Sequence, residues 1–227
     1  MNNRTLIISA LALVASGCVA DSPLFVTGFF PIDPKGEGAC ELSPGDVSQY
    51  NGSLDLSGSP FYQLITQLRS ELDSTLDTKS DTTILVTGKH RNTVILDTIS
   101  FTYTSVPTAT VPTVTYEPET VPITVVIEPG ELKNVRMGML GTKALEAIGK
   151  VVTSSAETSI IRVKFEFQGQ IISGGRIKST PITFPITVFR SGTTCPMGFC
   201  GTGACGNVGG QDGSPIVCAS AMGCPTK

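Results

Sequence analysis

Strict alternation of apolar and polar residues predicts two long strands in the second half of the chain. From residue 161 to 168 the chain reads IRVKFEFQ, and from 182 to 188 it reads ITFPITV. Successive side chains of a strand point to opposite faces of a sheet, so each run predicts one buried face and one solvent-facing face. The two strands are therefore expected to belong to a sheet that covers a core on one side.

A third pattern predicts a β-hairpin. Residues 93–104 (TVILDTISFTYT) place Ile99, Phe101 and Tyr103 on one face of a strand. The apolar run ILV at 84–86 precedes this strand across a polar turn, which is the arrangement expected of two antiparallel strands joined by a turn. We therefore expect these two runs to form a hairpin.

The prolines of the middle region indicate an edge of the sheet. Residues 105–122 contain four prolines, each of which would remove a backbone donor from a central strand. We therefore predict an edge strand and loops here, and the alternative is a Pro/Thr-rich linker between two domains. The next run, ITVVIEPG at 123–130, predicts a buried strand closed by a turn.

The segment at 60–76 leaves two alternatives open. Ser59 and Pro60 suit the N-cap and the first position of a helix, and the apolar residues that follow can be read at helical spacing. The same residues can also be read as a strand, whose buried face would consist of Tyr62, Leu64 and Leu68. The pattern does not separate the two.

Composition agrees with a mostly β fold. The chain has 24 Gly, 15 Pro and no Trp, which favours short strands and turns over long helices. About seven short strands without a βαβ rhythm are typical of an immunoglobulin-like antiparallel β-sandwich, which we place at residues 46–190. A short helix is expected on its rim at 143–152, and the apolar patch at 24–30 is expected to pack on this domain.

The beginning of the chain carries a secretion signal. A ten-residue apolar run at 6–15 follows the basic Arg4. Because about 20 apolar residues are needed to span a bilayer, this run suits a signal peptide better than a membrane helix. It ends in the sequence ASGC at 15–18, which resembles the lipobox of bacterial lipoproteins.

The lipobox resemblance implies a lipid anchor. It implies that residues 1–17 are removed as a signal peptide and that Cys18 is acylated and becomes the mature N-terminus, with residues 18–45 as a tether. For the apolar patch at 24–30, the alternative to packing on the domain is a position near the lipid headgroups. Val19 stands where an Asp would resemble the inner-membrane retention signal of enterobacterial lipoproteins. We therefore expect a lipid-anchored protein of the outer membrane, on its periplasmic face or at the cell surface, with the membrane as a partner.

The other cysteines indicate disulfide bonds. A lipidated sulfur cannot form a bridge, so six candidates remain once Cys18 is set aside, and these are Cys40, Cys195, Cys200, Cys205, Cys218 and Cys224. Five of them lie in the Cys/Gly-rich tail at 191–227, which is too small to make its own core without crosslinks. Since five cannot all pair with one another, Cys40 is expected to bridge to the tail and to place it as a collar near the lipid.

Metal and cofactor sites are not indicated. The tail cysteines are separated by four, four, twelve and five residues and have no His among them, whereas structural zinc sites usually combine two closely spaced ligand pairs, often with His. The run GGQDG at 209–213 contains one Asp, too few carboxylates for a calcium loop, and predicts a turn. We therefore expect no metal and no cofactor.

Charge argues against nucleic-acid binding, and the motifs argue against catalysis. The net charge of −3, with 15% charged residues, provides no basic surface for nucleic acid. The single histidine, His90, lies in a predicted turn, and no G-x-S-x-G, H-E-x-x-H or Walker motif occurs. Four carboxylates could in principle supply an acid and a base but are expected to be solvated in loops beside prolines, namely Glu117, Glu119, Glu128 and Glu131.

The overall order of lipobox, β-sandwich and Cys/Gly-rich tail is similar to that of uncharacterised envelope lipoproteins of Gram-negative bacteria. This resemblance implies a location and a fold, and it carries over no catalytic residue. We expect a non-catalytic protein with a binding or structural role, whose partner is a protein or glycan of the envelope. The alternatives are a glycan-acting hydrolase, which needs two convergent carboxylates, and an importer-associated binding lipoprotein, which usually needs two α/β lobes.

Overall fold

The structure is a computed structural model that describes residues 22–35, 41–44, 48–58, 61–72, 91–193 and 211–212. Most of these residues are in strands. The elements, in chain order, are β1 (Leu24–Phe30), β2 (Ile32–Lys35), β3 (Glu41–Pro44), β4 (Gly52–Asp55), β5 (Gln63–Ser70), β6 (Val94–Val106), β7 (Glu119–Ile127), β8 (Leu132–Gly138), α1 (Thr142–Gly149), β9 (Thr158–Ile171), β10 (Arg176–Lys178) and β11 (Ile182–Phe189).

Two sheets and a hairpin make up an all-β, sandwich-like fold. The smaller sheet has the strand order β1-β5-β8, and the larger has the order β4-β11-β9-β6-β7 with β10 also paired to β9. β4 runs parallel to β11, and all the other pairs of neighbours are antiparallel. β2 and β3 form a separate two-stranded hairpin. The prediction of an all-β sandwich is therefore confirmed at this level.

Aromatic side chains join the two sheets. Phe29 of β1 reaches across to the larger sheet, where its ring centroid lies 5.8 Å from that of Phe165 and 5.1 Å from that of Phe184. Both contacts have the edge-to-face geometry that aromatic pairs prefer. Phe165 also contacts Phe101 and Phe167. The core between the sheets is thus centred on this cluster.

The two strands with strict alternation are confirmed. In β9, Ile161, Val163, Phe165 and Phe167 are at most 1% exposed, and the charged side chains of Arg162 and Lys164 face solvent. β11 pairs antiparallel with β9, so that Phe184 lies opposite Val163. Because partner residues in a sheet point to the same face, the apolar sides of both strands cover the same core.

Residues 63–70 of the segment with two alternatives form a strand, β5. Every second residue of β5 is fully buried, namely Leu64, Thr66, Leu68 and Ser70, and Ile65 on the other face is 1% exposed. The sequence was ambiguous because Leu64 and Leu68, four residues apart, share a face in either structure. Pairing with β1 on one side and β8 on the other decides for the strand.

The strand at 93–104 is confirmed as β6, whereas the hairpin with its predicted partner strand stays a prediction. Residues 84–86 lie outside the described residues, and so does His90. From Val94 to Phe101, β6 is paired with β7 on one side and with β9 on the other. β6 is therefore an interior strand of the larger sheet over these residues.

The predicted strand at 123–130 and its closing turn are confirmed, but the prediction that this strand is buried is wrong. β7 is an edge strand that pairs with β6, and only Ile127 among its residues is buried, while Val126 is 46% exposed. An edge position also accommodates Pro122, which has no backbone donor to contribute. The preceding proline-rich segment forms a loop from residue 107 to 118, as predicted.

The short rim helix is confirmed as α1, which buries Ala144 and Ile148. The apolar patch at 24–30 also packs on the domain as predicted, since it forms β1 and pairs with β5. The folded unit therefore begins N-terminal to residue 46, within the segment expected to be a tether.

The sandwich has two ends that matter for function. The near end is where β1 begins, and it is defined by Leu24, Ser70, Val94, Ile127, Leu132 and Ile171. The far end is where β1 ends, and it is defined by Phe30, Asp55, Gln63, Val106, Gly138 and Phe189. Because a strand rises by about 3.3 Å per residue, β5 alone separates the two ends by roughly 23 Å.

Replacing Phe165 by Asp should destabilise the fold strongly. The side chain is 1% exposed and contacts three aromatic rings, so a carboxylate there would be buried without a partner, at a cost of several kcal/mol out of a total of about 5–15 kcal/mol. Lys164→Asp, on the solvent face of the same strand, is the control. Urea unfolding should show a large loss for Phe165→Asp and little loss for Lys164→Asp, and equal losses would contradict the assignment of the faces.

Candidate functional site

A fully buried tyrosine organises the far end. Tyr62 lies directly before β5, and its side chain is 0% exposed. Its hydroxyl donates to Oδ2 of Asp212 at 2.9 Å and accepts from Nε2 of Gln49 at 3.0 Å. These bonds join three parts of the chain, namely the segment after the β2–β3 hairpin, the start of β5 and the Cys/Gly-rich tail. We call Tyr62, Gln49 and Asp212 the tyrosine hub.

Two residues of the tail dock beside the hub. Asp212 accepts from the backbone N–H of Ser53 at 2.8 Å through Oδ1 and donates its own N–H to the carbonyl of Ser53 at 2.9 Å. Gln211 accepts from the backbone N–H of Gln63 at 2.9 Å, and its Nε2 donates to the carbonyl of Gln63. The tail therefore bridges β4 of the larger sheet and β5 of the smaller one.

Glycine is required at position 52 for the hub to form. A Cβ atom at Gly52 would lie 2.2 Å from the hydroxyl oxygen of Tyr62, which is far inside contact distance. The sequence shows Asn51-Gly52 only as a turn signal. In the structure this glycine lies at the start of β4 and leaves room for the buried hydroxyl.

The electrostatics of the hub keep Tyr62 protonated. Burial raises the pKa of Tyr62 strongly, and the neighbouring carboxylate of Asp212 raises it further. The hydroxyl therefore acts as a neutral donor to a charged acceptor, a class of hydrogen bond stronger than a neutral pair. Because the phenol stays protonated near neutral pH, this arrangement favours a structural role over proton transfer. In that role the hydrogen bonds of the hydroxyl hold separate chain segments together.

A second carboxylate fastens the chain where the tail leaves the sandwich. Asp55 is 4% exposed, and its Oδ1 accepts from the backbone N–H of Ser57 at 2.9 Å and of Ser191 at 3.0 Å. Burial by itself would raise the pKa of Asp55, but the hydrogen bonds from Ser191 and Ser57 outweigh it and lower the pKa below its usual range. The ionised side chain thus ties the end of β4 to the residues after β11.

Two residues of the tail, Gln211 and Asp212, dock at the far end, which differs from the position expected of a collar near the lipid. β1 carries the chain from the near end to the far end before the β2–β3 hairpin begins. Gln211 and Asp212 dock at the far end, on Gln63 and Ser53. The docked part of the tail is therefore separated from the start of β1 by the length of the sandwich, so a collar beside the lipid is not formed by it.

All seven cysteines lie outside the described residues, which include neither Cys18 nor any of the disulfide candidates. Cys40 stands in the sequence between β2 and β3. The hairpin is followed by Gln49, which shares the hydroxyl of Tyr62 with Asp212 of the tail. The bridge from Cys40 to the tail remains a prediction, and these contacts bring the neighbouring segments to the same end of the molecule.

The four candidate carboxylates are in two separate places. Glu119 accepts from the backbone N–H of Ala144 at 3.1 Å and so caps the start of α1, and Glu117 forms an exposed ion pair with Lys143. At the other end of β7, Glu131 accepts from the backbone N–H of Glu128 at 2.8 Å and pairs with Lys133 at 3.2 Å. β7 spans nine residues between these places, so the two groups do not converge.

Among the residues that the structure describes, no group of His, Cys, Asp and Glu is arranged to hold a metal ion. The run at 209–213, considered above for calcium, contributes Asp212 to the hub instead. Its predicted turn agrees with the positive φ of 50° at Asp212, a conformation that Asp adopts more readily than most residues. The structure thus uses this acid to hold the tail.

Gly52→Ala should release the tail from the hub. The added methyl group would displace the hydroxyl of Tyr62 and break its charged hydrogen bond, a loss of about 2 kcal/mol. Gly149→Ala is the control, because a Cβ there meets nothing within 4 Å. Limited proteolysis should cleave the tail of the Gly52→Ala protein faster than that of the control, and equal cleavage rates would show that the hub does not hold the tail.

The side chain of Asp55 should make the free energy of unfolding depend on pH in the acidic range. Because its folded-state pKa lies below the unfolded value of about 3.9, its favourable contribution is present above about pH 4 and is lost as the pH falls through the folded pKa. In Asp55→Asn this acid-dependent part of the free energy of unfolding is absent. Thermal unfolding from pH 7 to pH 3 should therefore show a steeper decline for the wild type than for the variant, whereas parallel declines would contradict the assignment.

Comparison with known proteins leaves the family open. No family model, no curated protein and no solved structure matches the chain. Within the described part of the chain, no helix is long and apolar enough to cross a membrane. The sequence motifs and the described contacts of the chain are therefore the basis for its proposed function.

Proposed function

We propose that this protein is a lipid-anchored, non-catalytic protein of the outer membrane that holds a binding or structural element away from the bilayer. The anchor is Cys18, at the end of the lipobox-like sequence ASGC. The sandwich, which we take to be immunoglobulin-like, acts as the spacer. The segment that follows the β2–β3 hairpin and the docked residues of the tail form the binding or structural element at the far end of the sandwich.

The observation that carries this proposal is the direction of β1. Its first residue, Leu24, follows Cys18 by six positions, and six residues span at most about 20 Å when fully extended. The near end of the sandwich would therefore lie close to a lipid attached at Cys18. The far end, with the tyrosine hub, would face away from the membrane toward a protein or glycan of the envelope.

The tail is suited to a structural or binding role. Its docked residues are fastened by backbone hydrogen bonds to two different sheets and by the buried hydroxyl of Tyr62. A disulfide from Cys40 to a tail cysteine would add a covalent link to these contacts. It would close a loop of more than 150 residues, which in the chain-entropy model contributes roughly 4–5 kcal/mol to the free energy of unfolding. A rigid, crosslinked tip presents a pre-organised surface, which lowers the entropic cost of binding.

A non-catalytic role agrees with what the candidate acids do. Glu119 caps a helix and Glu131 closes a turn, and both interactions stabilise local structure. The hydrolase alternative would need two carboxylates about 5–10 Å apart across a cleft. Glu117 is also engaged locally, in an exposed ion pair with Lys143, and we therefore favour binding over hydrolysis.

Cys18→Ser should detach the protein from the membrane. Without its thiol the side chain cannot carry a thioether-linked lipid, so the variant should be unprocessed or soluble, whereas the wild type should partition into detergent. Cell fractionation with detergent phase separation measures this difference. The control is Cys40→Ser, which removes a thiol but leaves the lipidation site intact and should still partition into detergent. An unchanged partition of Cys18→Ser would overturn the lipoprotein proposal.

A further inference from the structure

Exposed apolar side chains are concentrated at the near end. Five large hydrophobic residues of the described chain are exposed, and three of them lie within two residues of the near end, namely Val126 at 46%, Leu132 at 53% and Ile172 at 53%. Soluble surfaces normally carry such residues singly, and a concentration of them marks a contact surface. We call these three residues the near-end rim.

The near-end rim has residues on both sheets. Leu132 begins β8 on the outward face of the smaller sheet, where Arg69 lies between it and the partly buried Phe25. Val126 lies near the end of β7 on the larger sheet, opposite Ile95. Ile172 extends from the turn between β9 and β10, where its N–H donates to the carbonyl of Thr93 at 3.0 Å.

Much of the charge at this end is neutralised locally. Arg176 pairs with Asp97 at 3.2 Å, Lys178 with Glu166 at 3.0 Å, and Lys133 with Glu131 at 3.2 Å. Within each pair the two charges offset one another, so the pairs themselves contribute little attraction to an anionic surface. The exposed apolar side chains offer a partner a contact that does not depend on these charges.

We infer that the near-end rim rests in the interfacial region of the bilayer. The inference rests on the proposed anchor at Cys18, because the six residues from Cys18 to Leu24 hold this end within about 20 Å of the attached lipid. Apolar side chains that reach the headgroup and acyl-chain boundary leave water, and their contact adds to the attachment supplied by the lipid. The partner of this surface is thus the lipid bilayer itself, and it fixes the sandwich with its far end outward.

Tryptophan fluorescence can test this contact directly, because the chain contains no Trp. The mature, lipidated protein, which begins at Cys18, would carry either Ile172→Trp or Tyr50→Trp and would be reconstituted into vesicles of phosphatidylethanolamine and phosphatidylglycerol. Tyr50 is 79% exposed and lies beside the far-end residue Gln49, so it is a matched control for an exposed position away from the lipid. Each sample would be measured in vesicles with and without brominated acyl chains.

The proposal predicts opposite results for the two variants. The emission of Ile172→Trp should move to shorter wavelength and be quenched by brominated lipid, whereas that of Tyr50→Trp should stay at long wavelength and be quenched by iodide in the water. Emission of Ile172→Trp that matches the control in vesicle-bound protein would overturn the inference and leave the anchor intact. A shift to shorter wavelength without quenching by brominated lipid would show burial by protein and would also overturn it.

The same samples separate this inference from the proposed function. If neither variant sediments with the vesicles, the anchor at Cys18 is refuted. The proposed contact between the near-end rim and the bilayer is then refuted as well. If both sediment and only Ile172→Trp is quenched by brominated lipid, both proposals are supported. A further variant, Leu132→Asp, should lower quenching of the Ile172→Trp protein by brominated lipid while sedimentation is unchanged.

Discussion

The fold depends on the pairing and burial of β9. This strand is hydrogen-bonded to β6 on one side and to β11 and β10 on the other, and its apolar face supplies Phe165 and Phe167 to the aromatic cluster. A central strand of fourteen residues sets the register of its neighbours, because every residue of a paired strand has a fixed partner. At Gly169 the packing is so close that a Cβ would lie 2.2 Å from the carbonyl oxygen of Ile95.

The two ends of this sandwich differ in chemistry. At the far end, polar side chains hold separate segments together, and the buried hydroxyl of Tyr62 links Gln49 with Asp212. At the near end, apolar side chains such as Ile172 are exposed. An asymmetric molecule of this kind fits a position between a membrane and a partner. In the proposed orientation each end meets the environment that its surface chemistry favours.

The strands themselves were largely predictable from the sequence. Alternation in β9 and β11 reports burial on one face, which is a local property of each strand. Prediction failed where the outcome depends on neighbours. The apolar residues of 123–130 resemble a buried strand, but β7 lies at the edge of its sheet, and strand order is not encoded in the periodicity of one segment. The segment at 60–76 was ambiguous for a related reason, since its pairing with β1 and β8 selects the strand.

The candidate site was less predictable than the fold. The sequence by itself determined the lipobox-like ASGC at 15–18, the odd number of cysteines and the amphipathic strands, because each of these is a property of a composition or a short pattern. Only the tertiary structure decided that Tyr62 and Asp212, 150 residues apart, share a hydrogen bond. It also decided that Gln211 and Asp212 of the tail dock at the end of the sandwich away from the start of β1. Contacts of this kind follow from the packing of two sheets, and no local pattern specifies which distant segments that packing brings together.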